Sequence, residues 1–310
     1  MRIAIYGAGG VGGYFGGRLA HSGVDVTFVA RGAHLQALRE HGLRVSSVHG
    51  DFALPSVQVV DDPGLVGPVD YVLVTVKSAQ TAEVAGRLGP VLHERTAVVS
   101  LQNGVDNEEK LAAAVGDARV VGGAAYIFAT IAEPGHIHHA GGPTAITIGE
   151  WTGGTSDRVG RLVEACDSAG FRANEDANIR ATLWTKFAFI CALAGTTAAI
   201  RLPIGEIRTA PASRELFRRV VGEVQDIARA EGIGLPNDLV DRHLTFTDSL
   251  EPGGYSSLHH DVTNGNPTEL DALLGEVVRR GARAGVPTPA SAALYAVLEP
   301  WQIRNTSGVA

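Results

Sequence analysis

The chain has 310 residues, 45% of them hydrophobic and 19% charged, with a formal net charge of −7 at neutral pH. That length suits two domains better than one, and the composition is that of a soluble globular chain. The acidity argues against a nucleic-acid partner held by phosphate attraction. It says nothing against an anionic substrate, because one Arg and one Lys can make a local positive site.

Arg2 to Tyr6 is a short apolar run rich in β-formers, and it stops at Gly7-Ala8-Gly9-Gly10-Val11-Gly12. A helical stretch from Val11 to His21 closes at Ser22-Gly23, and a second β-rich run, Val24 to Ala30, ends at Arg31. A G-x-G-x-x-G pattern placed between a strand and a helix predicts a dinucleotide site. Gly7 permits the tight turn, Gly9 lets backbone approach a pyrophosphate, and Gly12 lets the helix pack on the strand. The free N–H groups at the helix start then face the phosphates. An NAD site usually carries Asp or Glu at the end of the second strand to hold the ribose 2′-hydroxyl. Arg31 stands there instead, and a guanidinium suits a phosphate dianion, so the cofactor read from the sequence is NADP(H).

Helix and strand go on alternating. Ala33 to His41 reads as a helix, and Gly42 to Ser47 with Asp51 to Val60 as a hairpin turning near His49-Gly50. Asp70 to Lys77 is a nearly continuous β-branched run, expected of a strand buried on both faces. Thr81 to Leu88 is helical, Ala97 to Leu101 a strand, Glu108 to Val115 a helix and Val120 to Ala129 a strand. After Glu133-Pro134-Gly135, His136 to His139 and Ala145 to Ile148 are expected to pair as a hairpin. A helix from Asp157 to Ala169 and a short strand, Phe171 to Glu175, complete a doubly wound α/β sheet. Only helices are predicted afterwards: Asn178 to Ala194, Ser213 to Glu231, Asn237 to Leu250, Thr268 to Ala284 and Ala290 to Leu298. Breaks are read at Gly195, Pro203, Gly232 to Pro236, Glu251 to Gly254, Gly265 to Pro267 and Gly285 to Pro289. The predicted organisation is thus a Rossmann-type domain over residues 1–174 and an all-α domain over 175–310.

Cys166 and Cys191 lie in apolar helical stretches without a metal or redox spacing and read as core thiols. Met1-Arg2 runs straight into the first strand with no signal peptide in view, and the apolar stretch Phe187 to Ile200 looks too short to span a bilayer. The expectation is a cytoplasmic protein without a membrane partner. His136, His138 and His139, and His259-His260-Asp261, cluster but lack the ligand geometry of a zinc site, so no metal is predicted.

Ligands of open α/β sheets bind beyond the carboxyl ends of the strands. Lys77 follows one strand there, and Gln102-Asn103 follow another. Lys186 lies near the start of an otherwise apolar helix, where a lysine is expensive unless it is paired or used. Desolvation would suit it to donate a proton. Glu269, in Thr268-Glu269-Leu270-Asp271, is an available carboxylate.

Taken together, several motifs carry a family likeness: Gly7 to Gly12, Arg31, Leu73-Val74-Thr75-Val76-Lys77, Gln102-Asn103-Gly104-Val105, Ile179 to Lys186, and Pro267 to Asp271. The chain resembles the ketopantoate reductase (2-dehydropantoate 2-reductase) family along nearly its whole length. The resemblance implies NADPH-dependent reduction of a 2-oxo acid to an (R)-2-hydroxy acid within pantothenate biosynthesis. It further implies that Lys186 polarises the ketone and delivers the proton. Glu269 would be the helper carboxylate near lysine, substrate and cofactor, Asn103 would hold nicotinamide or substrate, and Lys77 would lie close by. Ser257 would bind the substrate, and a homodimer is left open. One departure stands out. Where the family's lysine helix usually offers Asn one and two turns after the lysine, this chain has Ile190 and Ala194. A reductase for a more apolar branched or aromatic 2-oxo acid is therefore a second reading. A non-catalytic NADP(H)-sensing protein is a third, disfavoured by the joint presence of Lys186 and Glu269.

Overall fold

The computed structural model describes residues 1–307, and the chain divides into two compact units, Met1–Thr182 and Leu183–Ala310. The strands of the first unit are β1 (Arg2–Tyr6), β2 (Asp25–Val29), β3 (Leu43–Ser47), β4 (Phe52–Leu54), β5 (Gln58–Val60), β6 (Tyr71–Val74), β7 (Ala97–Ser100), β8 (Val120–Glu133), β9 (His136–Glu150) and β10 (Arg172–Glu175). Its helices are α1 (Gly10–His21), α2 (Gly32–His41), α3 (Thr81–Ala85), α4 (Asn107–Val115) and α5 (Asp157–Ser168). The strands form one sheet in the order β4-β3-β9-β8-β7-β6-β1-β2-β5, with β10 also paired to β9. From β8 through β7, β6, β1 and β2 to β5 all neighbours are parallel. This is the Rossmann-type arrangement that the alternating pattern predicts.

The period of two along each strand divides the core between the two faces. Ile3 and Ile5 of β1 join Phe15 and Leu19 of α1 and Cys166 of α5 on one side. Ala4 and Tyr6 join Val84 of α3 and Leu111 of α4 on the other. Central strands buried on both faces explain why β6 reads as unbroken hydrophobic sequence.

Two hairpin expectations need correction. Asp51 to Val60 is not a single arm: β4 pairs antiparallel with β3, whereas β5 crosses to the far edge and runs parallel to β2. His136 to His139 and Ala145 to Ile148 do not face each other either. Both lie on β9, whose partner along its length is β8. Gly141-Gly142, between the two expected arms, is absorbed within the strand. Gly141 and Gly142 take φ of +138° and +78° beside shifts of the β8–β9 register around Phe128, which is how a bulge accommodates extra chain. One edge of β9 then serves two strands in succession, β3 along His136–His139 and β10 along Ala145–Ile148.

The helices that follow are α6 (Ile179–Ile200), α7 (Ile204–Thr209), α8 (Pro211–Ala230), α9 (Leu239–Ser249), α10 (Ser257–Asn264), α11 (Glu276–Ala284) and α12 (Pro289–Ser307), with a π-helical turn at Asp271–Gly275 leading into α11. Helix α6 is continuous through Gly195, which the sequence suggested as a break. A Cβ at Gly195 would lie 2.9 Å from Leu294 Cδ1, so the glycine admits a neighbouring helix at close range and does not end its own. With 22 residues, α6 is long and apolar enough to cross a membrane, contrary to the length argument made from Phe187 to Ile200, but 61% of its most apolar window is buried. In the same unit, the buried Glu223 carboxylate of α8 accepts from the amides of Ala290 (2.7 Å) and Ser291 (2.9 Å), capping α12. Arg280 of α11 is shared between Glu276 (2.8 Å) and Glu231 (2.6 Å).

Candidate functional site

In the first unit, β1 ends at Tyr6 and the chain turns at Gly7, whose φ of +108° is open to glycine and rarely to other residues. A Cβ on Gly12 would sit 2.0 Å from the Gly7 carbonyl oxygen, and one on Gly10 would sit 2.0 Å from the Ala129 carbonyl oxygen. Both positions therefore require glycine for close approach. Gly9, the N-cap of α1, differs: a Cβ there would meet nothing within 4 Å. The outer side of the turn is open, and no side chain of Gly9 or Gly10 covers it. Ala8 is buried and Val11 half-buried. An uncovered glycine turn at the start of a twelve-residue helix is the cradle a pyrophosphate needs, so the residues present fit a dinucleotide.

Arg31 ends the loop after β2 and precedes α2 as its N-cap residue. Its guanidinium donates to Glu83 of α3 at 2.6 Å, and both side chains are about half exposed. That hydrogen bond, ahead of smaller influences from burial and Tyr6, raises the Arg31 pKa above its already high ordinary value. The guanidinium stays charged at every physiological pH.

The ends of β6 and β7 carry the next candidates. Lys77 precedes a single 3-10 turn at Ser78–Gln80 and is mostly exposed. Asn103 lies between the buried Gln102 and Gly104, which turns the chain at φ +113°. Residues the sequence reading passed over tie these strand ends together. Thr75 donates to the Gly7 carbonyl at 2.5 Å, Ser78 to the Asn103 carbonyl at 2.6 Å, and Asn107 Nδ2 to the same carbonyl at 2.9 Å. The signal in sequence is a run of Ser, Thr and Asn at helix starts, which resembles ordinary capping. Yet neither Gln80 nor Asp106, the N-cap residues of α3 and α4, makes a side-chain cap bond.

In the second unit, Lys186 lies on α6 and is half-buried, and its neighbours in the chain, Trp184, Phe187 and Ala188, are all at 3% exposure or less. Ile190, one turn on, is half-buried, and Ala194, two turns on, is wholly buried. His243 of α9 contacts the Thr185 carbonyl through Nε2 at 3.0 Å, and burial holds its pKa below the ordinary value. Glu269 is half-buried just before the π-helical turn, and its carbonyl accepts from the amides of Ala272 and Leu273. Its flanking residues are pinned: Thr268 donates to Gln302 at 2.9 Å, and Asp271 accepts from Tyr295 at 2.7 Å. A π-helical turn of this kind often marks a functional position. Of the two adjacent serines, Ser256 is buried and caps α10 through the His259 amide, while Ser257 begins the helix and is exposed.

Two profiles of one family cover nearly the whole chain: "Ketopantoate reductase PanE/ApbA" matches residues 3–153, and its C-terminal counterpart matches residues 178–302. The chain belongs to the ketopantoate reductase family. It is similar to an uncharacterised oxidoreductase of Bacillus subtilis, 30% identical over 97% of this chain and 99% of that one. It is also similar to a 2-dehydropantoate 2-reductase of Mesorhizobium japonicum, 31% identical over 96% of this chain and 97% of the relative. The crystal structure of a PanE/ApbA family ketopantoate reductase from Ralstonia eutropha superimposes with a TM-score of 0.90 at 33% identity, covering 99% of this chain and all of that one. Members of this family are oxidoreductases acting on a CH–OH group with NADP(H), and this chain is one of them.

Proposed function

We propose that this protein reduces a 2-oxo acid to the 2-hydroxy acid with NADPH, and that the substrate is 2-dehydropantoate, giving (R)-pantoate. The observation that carries the reading is Lys186, a half-buried lysine on a long helix made mostly of apolar residues. When bound, the nicotinamide would supply a hydride for C2 of the substrate. Lys186 hydrogen-bonds the ketone oxygen, draws charge toward it and donates the proton that makes it a hydroxyl, leaving the lysine neutral until solvent reprotonates it. Glu269 is the helper carboxylate that orients Lys186 and the substrate. Asn103, with Lys77 nearby, binds the nicotinamide carboxamide or the substrate carboxylate. Ser257 binds the substrate. The turn from Gly7 to Gly12, including Ala8, Gly9, Gly10 and Val11, receives the pyrophosphate, and Arg31 receives the 2′-phosphate.

One observation favours a second substrate of the same class, a 2-oxo acid without the 4-hydroxyl. Ile190 offers no hydrogen bond, and Ala194 is buried. The nearby hydroxyls are engaged: Thr196 donates to the Ala192 carbonyl and Thr197 to the Leu193 carbonyl, each at 2.7 Å. Ser256 sits 2.7 Å from Thr197 and accepts from His259. A substrate hydroxyl buried without a partner loses about 1–3 kcal/mol, a tenfold to hundredfold preference on the scale of roughly 1.4 kcal/mol per decade. The test is kcat/KM for 2-dehydropantoate against 2-oxo-3,3-dimethylbutanoate, followed as NADPH consumption, in the natural protein and in Ile190→Asn. A strong preference for 2-dehydropantoate that Ile190→Asn leaves unchanged removes the second reading. No turnover with any 2-oxo acid removes both.

A further inference from the structure

The ends of β6 and β7 are joined by a set of buried side-chain hydrogen bonds that the reaction chemistry does not itself require. Gln102 Nε2 donates to the Val76 carbonyl and to Thr81 Oγ1, each at 2.8 Å. Thr81 Oγ1 donates to Asn107 Oδ1 at 2.8 Å. Asn107 Nδ2 donates onward to the Asn103 carbonyl at 2.9 Å, and Ser78 Oγ donates to that same oxygen at 2.6 Å. Gln102, Ser78, Thr81 and Asn107 are all buried, with exposures of 5%, 1%, 0% and 0%. The donors and acceptors run in one consistent direction. The hydroxyl of Thr81 gives its proton to Asn107 and receives one from Gln102, which fixes which way both amides point.

We infer that Thr81 and Asn107 are positioning residues for hydride transfer, holding the Asn103 backbone and the turn that carries Lys77 in a single fixed geometry. The inference rests on the functional reading above, in which Asn103 and Lys77 meet the reacting partners. Two features point to positioning rather than simple cohesion. The set begins and ends on backbone carbonyls, those of Val76 and Asn103, which adjoin or belong to the two candidate side chains. The chain reverses right after Asn103 through Gly104 at φ +113°, so without a brace the direction of the Asn103 amide would be free to vary. A buried polar network that is fully satisfied rigidifies what it touches, and one that loses a member becomes costly and loose. Reacting groups misplaced by about 1 Å lose on the order of a hundredfold in rate.

The experiment compares Thr81→Val, which keeps shape and removes the hydroxyl, with Thr81→Ser, which keeps the hydroxyl. Thr81→Val is expected to lower kcat roughly tenfold to a hundredfold. It should shift the Kd for NADPH far less, and raise the isotope effect with NADPH deuterated at the transferred position. Thr81→Ser should restore kcat to near the natural value. Hydrogen exchange in the segment 102–105 should quicken in Thr81→Val and not in Thr81→Ser. Equal kcat in the two variants, with the natural protein active, overturns the inference. If Thr81→Val shows no cooperative melting transition, Asn107→Ala takes its place, removing the Nδ2 donor to the Asn103 carbonyl, and an unchanged kcat there overturns the inference equally. Should the natural protein turn over no 2-oxo acid, the functional reading fails by itself. The exchange comparison then decides the brace, and equal exchange in Thr81→Val and Thr81→Ser overturns it.

Discussion

Replacing Glu108 with Gln isolates a buried ionisable group whose effect on stability has a definite sign. Glu108 lies in the first turn of α4 with 1% exposure, and its Oε2 makes no hydrogen bond among the described residues. Loss of hydration pushes its carboxyl up to about 7 from an ordinary 4.5. The helix amide, the Ser100 hydroxyl and the Gly123 amide pull the other way, and Asp106 adds a small upward push. In the unfolded chain the group releases its proton near 4.5, while the folded protein keeps it until about 7. Stability from the neutral carboxyl is therefore fully present below pH 4.5 and lost as pH rises through 7. A shift of two and a half pH units, at roughly 1.4 kcal/mol each, makes the loss about 3 kcal/mol. Glutamine has nearly the same shape and cannot ionise. Urea denaturation of the natural protein and Glu108→Gln should give similar stabilities at pH 4.5. By pH 8 the variant should be more stable by up to about 3 kcal/mol. Parallel stability curves across that range would refute the reasoning, since they would mean that Glu108 ionises alike in the folded and unfolded states.

Arg31→Ala should weaken NADPH binding much more than NADH binding, because only NADPH offers a 2′-phosphate to the guanidinium. Equal losses, measured by cofactor fluorescence titration, would rule out Arg31 as the residue that tells the two apart. Lys186→Ala should reduce kcat by roughly a hundredfold or more while the Kd for NADPH stays near the natural value. A variant that keeps most of its turnover would show that the proton comes from elsewhere.

The parts of the fold legible in the sequence are those set by short-range pattern. The turn from Gly7 to Gly12, the alternation of β1 to β2 and the all-apolar β6 declare themselves within a dozen residues. The course of β9 does not. Gly141-Gly142-Pro143 has the chemistry of a turn, yet pairing with β8 carries the strand through it. Gly195 misleads for a related reason: its role is to admit Leu294 and Leu274, which lie far along the chain. The candidate site divides in the same way. The glycine cradle could be read directly, whereas the partner of Arg31 is Glu83, 52 residues away, and no local rule links them. The brace from Gln102 to Asn107 was equally hidden. Its Ser, Thr and Asn residues sit where capping residues usually sit, and tertiary contacts give them other work. Adjacent serines are likewise indistinguishable until α10 buries Ser256 and leaves Ser257 exposed.

The double use of the β9 edge bears on how the chain is made. Strand β3 leaves the ribosome early, yet the segment that completes its pairing follows about ninety residues later, as the 92-residue separation of Ser46 and His138 records. At a synthesis rate of about 5–20 residues per second, β3 waits roughly 5–20 s with only the short β4 at its side. Its sequence, Leu-Arg-Val-Ser-Ser, places a charge and two hydroxyls on that waiting strand, and charge on an unpaired edge discourages the wrong neighbour. Nascent chains stalled before His136 should thus present this edge to chaperones, and released full-length chains should hide it.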